Sequence, residues 1–325
     1  MKPSRKMQDP ATHMNAARPI VCGTDFSKNA ARAAEAGAAI AKRLNSTLIL
    51  VRSVDERGEF PDELRGRIME ELRPRLEQEV TRLREHCSSV EGKVLAGIHY
   101  LGSGPDDGLV NFAVNAGARL VVMASPSTDV PGRWVLGSVA ERTAETSPVP
   151  TLVVRSAAPF VAWARGERAL KVFVATDFAA TSDAALRWVA ELRQVGPCEI
   201  TLGYIDQTPG ERSELAMFES AQMVVEQRQT RQTLQRDLRQ KARRLLGTAP
   251  AVRVEPASAP VDVHLIDLST AAGADILVLG THQWRGIKQL RHGSISRRIL
   301  HDAPMSVACV PVPPSRRAGQ PRSRN

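Results

Sequence analysis

The stretch GTHQWRGIKQLRHGSISRRILHDAPMSVACVPV, residues 280–312, runs from a glycine through a basic loop to Gly293-Ser294, then a helix-forming segment and a closing apolar run. Parts of this stretch recur earlier in the chain. Gly293-Ser294 repeats Gly137-Ser138 at an offset of 156 residues, and the same offset carries Gly117-Ala118 to Gly273-Ala274. Thr24-Asp25-Phe26 returns as Thr176-Asp177-Phe178 at an offset of 152. Several unrelated short matches at nearly one spacing mark an internal duplication, so the chain reads as two copies of a unit of about 140 residues.

Within each copy, strand and helix signals alternate. In the first, apolar runs at 20–24, 48–54, 120–124 and 151–155 predict strands, and a further strand is expected near 93–100. Between them, the alanine-rich 29–44, the charged 61–87, and 106–116 and 138–146 predict helices. The second copy repeats this order through strands at 172–176, 276–280 and 307–311, with a long charged helix at 211–246 whose charges are expected to line a solvated face. Uninterrupted apolar strands separated by helices argue for a parallel sheet covered on both faces. The expected organisation is a tail at 1–17, a domain at 18–156, a linker at 157–169, a domain at 170–312 and a tail at 313–325.

Composition bounds the function. The 325 residues carry 44 Lys+Arg against 35 Asp+Glu, a net charge of +9. Residues 1–18 hold +3 and residues 311–325 hold +4, which leaves only +2 on the 292 residues between. The basicity belongs mainly to the ends, both expected to be disordered, so a nucleic-acid partner is not expected of the two domains. Cys22, Cys87, Cys198 and Cys309 lie far apart without paired ligand spacing, which points to reduced thiols and no zinc site. No apolar run reaches the ~18–20 residues needed to span a bilayer. The start lacks a secretory h-region, and a cytoplasmic protein is expected.

Ligands of a doubly wound sheet bind outside the carboxyl ends of the strands at the topological switch point. Two loops of each copy carry the candidate residues there: the first begins at Asp25 or Asp177, and the second runs from Ala124 to Gly137-Ser138 or from Gly280 to Gly293-Ser294. Backbone N–H groups at a helix start, with a serine hydroxyl beside them, suit an anion. An aspartate at the first loop suits an adenine amino group or a ribose hydroxyl.

On the 280–312 stretch, and on TDFS (24–27) and TDFA (176–179), both copies resemble universal stress protein domains, over 18–156 and 170–312. The resemblance implies two Rossmann-like, adenine nucleotide alpha hydrolase-like α/β domains, each a five-stranded parallel sheet sandwiched by helices. It also implies a role in stress tolerance and a dimer interface built on the last strand of each domain. In one chain the two copies would pair with each other, and a homodimer and unknown protein partners are further options. Nucleotide-binding members carry G-x2-G-x9-G-[S/T] after the fourth strand, which implies ATP as ligand, with Mg²⁺ only as the nucleotide's companion. The second copy keeps the spacing, as Gly280, Gln283, Gly293 and Ser294, but has Gln for the second glycine. The first has Ala124, Ser127, Gly137 and Ser138, without either early glycine. The second copy is therefore the better candidate, with Asp177 at the adenosine end and Gly280, Gly293 and Ser294 at the phosphates; Asp25, Gly137 and Ser138 form the lesser one.

Plainer roles stand beside these. Ser138 and Glu141 fit the S-x-x-E capping box, so Gly137-Ser138 also reads as a simple helix start. Asp25 and Asp177 also read as caps of backbone N–H groups in the turn after the first strand. Arg285, Lys288, Arg291 and His292 suit a triphosphate or merely a solvated loop. No nucleophile elbow, Walker A loop, metal cluster or acid–base pair is present, so no enzyme is expected; slow ATP hydrolysis or nucleotidyl transfer stays open as the last-ranked reading, without a candidate general base. The alternative to nucleotide binding is a nucleotide-independent interaction module built as an intrachain pseudo-dimer.

Overall fold

The structure, a computed structural model, describes residues 18–54, 62–96, 105–125, 137–207, 221–281 and 294–312. The first copy runs β1 (Ile20–Gly23), α1 (Lys28–Arg43), β2 (Leu48–Val54), α2 (Asp62–Leu83), β3 (Val90–Ala96), α3 (Pro105–Asn115), β4 (Leu120–Ala124), α4 (Ser138–Thr146) and β5 (Thr151–Val154). After α5 (Ala158–Arg165), the second copy repeats the order. It runs β6 (Leu170–Ala175), α6 (Ala180–Val195), β7 (Cys198–Asp206), α7 (Ala221–Leu246), β8 (Ala251–Pro256), α8 (Val261–Ala271), β9 (Ile276–Thr281), α9 (Ser294–Asp302) and β10 (Ser306–Pro311).

Both halves form one sheet of ten strands, ordered β3-β2-β1-β4-β5-β10-β9-β6-β7-β8. Pairing within each half is parallel, as the aliphatic strands predict, and the junction between β5 and β10 is antiparallel. There Val307 faces Val153, Ala308 faces Leu152 and Cys309 faces Thr151. Since residue 152 corresponds to 308 at the 156 offset, the pair is self-complementary about Leu152 and Ala308, as an isologous dimer contact is.

Helices cover both faces. On one, α1, α2, α5, α6 and α7 enclose a cluster that includes Leu50, Leu76, Val80, Trp163, Leu186, Leu238 and Val254 and is continuous across both halves. On the other, α3, α4, α8 and α9 close over Val21, Leu109, Ala144, Leu277, Ile299 and Val307.

The segment between the copies is more than connecting chain. Phe160 and Trp163 of α5 are fully buried, and the Trp163 indole N–H donates to the Pro197 carbonyl at 3.0 Å. The Arg43 guanidinium of α1 stacks 5.6 Å from the Trp163 ring and donates to its carbonyl at 2.6 Å. So α5 wedges the two halves together on one face of the sheet.

On the other face, the tie is Arg155, just past β5. Although buried, its guanidinium donates to the Ala303 carbonyl at 3.2 Å and to that of Leu300, at the C-terminal end of α9. Burial lowers its pKa to about 10. Its backbone N–H donates to the Ser306 hydroxyl at 3.1 Å. Arg297 of α9 adds ion pairs to Glu141 and Glu145 of α4, at 2.5 and 3.0 Å.

Candidate functional site

In each half the first strand of the copy lies between the second and the fourth, β1 between β2 and β4, and β6 between β7 and β9. The helix after the first strand packs on one face and the helix after the fourth on the other. The chain therefore diverges at the carboxyl ends of β1/β4 and β6/β9, the topological switch points at which sheets of this kind form their crevice.

The turn after the first strand is strained in the same way twice. Phe26 has φ 64° and Phe178 has φ 62°, a left-handed backbone that bulky side chains rarely adopt. The preceding aspartates hold this turn. Asp25 Oδ1 accepts from the Ser27 N–H at 2.9 Å, and Asp177 Oδ1 accepts from the Ala179 N–H at 3.0 Å. Both side chains are exposed. The local-cap reading of these residues is therefore realised, with one carboxylate oxygen engaged. Backbone held in this way persists only where the surrounding structure over-determines it. No sequence signal other than the repeat itself exposes it.

Gly280, at the end of β9, lies against the start of α6. A Cβ there would sit 2.1 Å from the Thr181 carbonyl oxygen and 2.7 Å from the Ser182 nitrogen. The glycine is thus demanded by close helix–strand packing, which also brings it beside the Asp177 turn. Ser294 opens α9, the helix that follows β9 in the chain. Gly293, Gln283, Arg285, Lys288, Arg291 and His292 lie outside the described residues, as does Ser127 in the first copy.

In the first copy Gly137 is the N-cap of α4, with extended backbone and no side-chain cap hydrogen bond, and Ser138 is the first helical residue and exposed. The capping box read from Ser138 and Glu141 does not form. A cap must stand outside the first helical turn, and here Gly137 takes that place while Glu141 turns to Arg297.

Beneath the two crevices the copies differ. Buried Leu76 and Val80 of α2 match Leu238 and Ala242 of α7, which puts Glu79 and Lys241 at one helical position. Glu79 accepts from the Thr24 hydroxyl at 3.2 Å, and partial burial raises its pKa above the usual carboxylate range. Lys241 instead donates to the Phe178 carbonyl at 2.8 Å and pairs with Asp183 at 2.6 Å. Among the described residues the buried Thr176 hydroxyl has no hydrogen-bond partner. Arg75 stacks 4.7 Å from the Phe26 ring in one copy, whereas Tyr204 meets Phe178 edge-on at 5.5 Å in the other. Burial, followed by the charges of Asp206 and Asp177, raises the Tyr204 pKa. These residues escape sequence reasoning because they come from the second strand and second helix, outside either motif.

Burial pushes the Cys22 and Cys309 thiols up, away from reactive thiolates. Among the described residues no group of three or more His, Cys, Asp or Glu is placed to hold a metal ion. No helix among them is long and apolar enough to cross a membrane.

Comparison with known proteins adds the family. A universal stress protein from Archaeoglobus fulgidus DSM 4304 superposes with a TM-score of 0.61 over 91% of this chain and 99% of its own, at 15% identity. A protein of unknown function from Pseudomonas aeruginosa PAO1 gives 0.54 over 92% and 94%, also at 15% identity. Another A. fulgidus universal stress protein, solved in complex with dAMP, matches 42% of this chain and 95% of its own at 24% identity, with a TM-score of 0.33. No protein with a curated description is similar enough to match. The model of the universal stress protein family fits twice, over residues 16–155 and 169–311. Two matches that cover all ten strands, on a sheet that repeats itself about its middle, make the chain a member of the universal stress protein family.

Proposed function

We propose that the chain is a cytoplasmic, non-catalytic binding protein of stress tolerance, with an adenine-nucleotide site in its second half. The observation that carries this reading is the close packing of Gly280, at the end of β9, against the start of α6, just after the strained Asp177 turn at the β6/β9 switch point. In ATP binding, Asp177 would meet the adenosine end, and Gly280, Gly293, Ser294 and the N–H groups of the first turn of α9 would meet the phosphates. Mg²⁺ would come with the nucleotide as its counter-ion. The first copy, with Ala124 in place of Gly280, is the weaker site.

Isothermal titration with ATP and Mg²⁺ tests this. The expected result is one site per chain, weakened about tenfold or more in Ser294→Ala, by analogy with loss of a hydrogen bond to a charged group. No heat and no thermal shift at millimolar ATP overturns it.

A nucleotide-independent interaction module is the second reading. It is favoured by two findings: Asp177 already caps its own turn, and packing against α6 alone suffices to require Gly280. Tight ATP binding that disappears in Ser294→Ala argues against it.

A further inference from the structure

The near-neutrality of the two domains is an average that hides one helix. Counting along α2, six acidic residues meet five arginines, a net charge of −1. Along its counterpart α7, seven basic residues meet only Glu226 and Asp237, for +5. The pseudo-symmetry makes α2 an internal control. A merely solvated helix offsets its charges within itself or with its neighbours, as α2 does through Arg82 to Glu35 at 2.9 Å. Like charges stacked on one face cost stability, and α7 bears that cost.

The charges on α7 are also sorted. At 100° per residue, Arg228, Arg236, Arg239 and Arg243 fall within a sector of roughly 80°, and they span about 22 Å of helix. All four are exposed. Among the described residues none of the four makes an ion pair. Asp237 and Glu226 fall on the opposite side of the helix wheel, so the arginine face has no acid of its own. Arg231 flanks it, half-buried.

We propose that this arginine face is a docking surface for the phosphate backbone of a nucleic-acid duplex. Guanidinium forks bind phosphate in pairs of hydrogen bonds, which suits arginine over lysine. A lipid surface fits less well, because an interfacial helix needs an apolar face to insert. The apolar residues Leu238, Ala242 and Leu246 are already buried in the core. A single strand fits less well too, because α7 contains no aromatic residue on which bases stack. The surface reads charge and spacing rather than base sequence. It lies on the helix before β8, apart from the α9 loop, and stands or falls independently of nucleotide binding.

The test is fluorescence anisotropy of a labelled, mixed-sequence DNA duplex of about 20 base pairs with the full chain across a salt series. Two full-length variants separate the charge sources. In one, Arg228, Arg236, Arg239 and Arg243 become Gln, which keeps helix propensity; in the other, Lys2, Arg5, Lys6, Arg316, Arg317, Arg322 and Arg324 become Gln. Far-UV circular dichroism confirms that both remain folded. The α7 variant is expected to bind at least tenfold more weakly at low salt and to lose about 3–4 from the slope of log K against log salt, at about 0.9 per phosphate. The tail variant is expected to keep most of its slope. An unchanged α7 variant overturns the proposal, as does a parent chain that does not bind. Equal, α7-dependent sedimentation with phosphatidylserine vesicles also overturns it, in favour of a membrane.

Discussion

Set side by side, the two halves share a backbone and differ in what each position is asked to do. After the first strand both hold a phenylalanine in left-handed backbone above an aspartate-capped turn. One step away, Glu79 and Lys241 reverse the charge, and Ala124 and Gly280 exchange a methyl for close contact with a helix. At the seam, Arg155 ties domain 1 to the end of α9, while its counterpart at the 156 offset is Pro311, which has no donor to return the favour. A duplicated framework keeps the turn and the sheet and lets the crevice floors, the seam and the outer helix go separate ways.

The largest expected break in this comparison is Arg155→Ala. It leaves the Leu300 and Ala303 carbonyls unsatisfied in a buried seam, and the expected loss is about 3 kcal/mol, read from urea unfolding. Pro311→Ala, at the matching position, is expected to cost less than about 1 kcal/mol. If the two cost the same, the seam is symmetric in energy and the tie is idle.

Next comes Gly280→Ala, whose Cβ would overlap the α6 backbone; the expected cost is about 2–3 kcal/mol. The reverse exchange in the first copy, Ala124→Gly, is expected to cost only about 0.5–1 kcal/mol. Thermal melts of the pair decide whether this glycine serves packing.

Smaller again is the threonine pair. Thr24→Val removes the hydroxyl that binds Glu79 and is expected to cost about 1 kcal/mol. Thr176→Val replaces a hydroxyl with no partner among the described residues and is expected to be neutral or stabilising. Destabilisation by Thr176→Val would place an unseen partner beneath the second crevice.

The smallest effect is one of pH. A carboxyl whose folded pKa is raised binds its proton more tightly when folded. Its stabilisation is full below the unfolded value, ordinarily 4.5, and is lost as pH rises through the raised value. Glu79→Gln removes that loss, so its melting temperature relative to the parent is expected to rise from pH 4 to pH 8.

Much of this framework is legible in the sequence because it rests on short-range signals. The continuous runs at 48–54 and 120–124 and the helix at 138–146 have the bounds their patterns predict. The third strand begins three residues earlier than 93, at Val90, because its register is set by β2, with Leu48 opposite Val90, and not by its own mixed sequence. The helix α5 escapes because AAPFVAWARGERA carries Pro and Gly punctuation, while its purpose lies in burying Phe160 and Trp163 between elements distant in sequence. The Arg155 tie spans about 145 residues and leaves no local trace. For the crevice, the motif positions are legible, but the packing role of Gly280 and the charge exchange at Glu79 and Lys241 depend on which helix backs each turn.

The self-complementary β5–β10 pair has a consequence for how such a molecule changes over time. In a symmetric pair of separate subunits, every substitution appears twice, so a loss in one site is a loss in both. Joining the two copies fixes their stoichiometry at one to one at any protein concentration and uncouples their fates. One half can drift while the other retains its loop, and neither is diluted by self-pairing, because each fifth strand already has its partner.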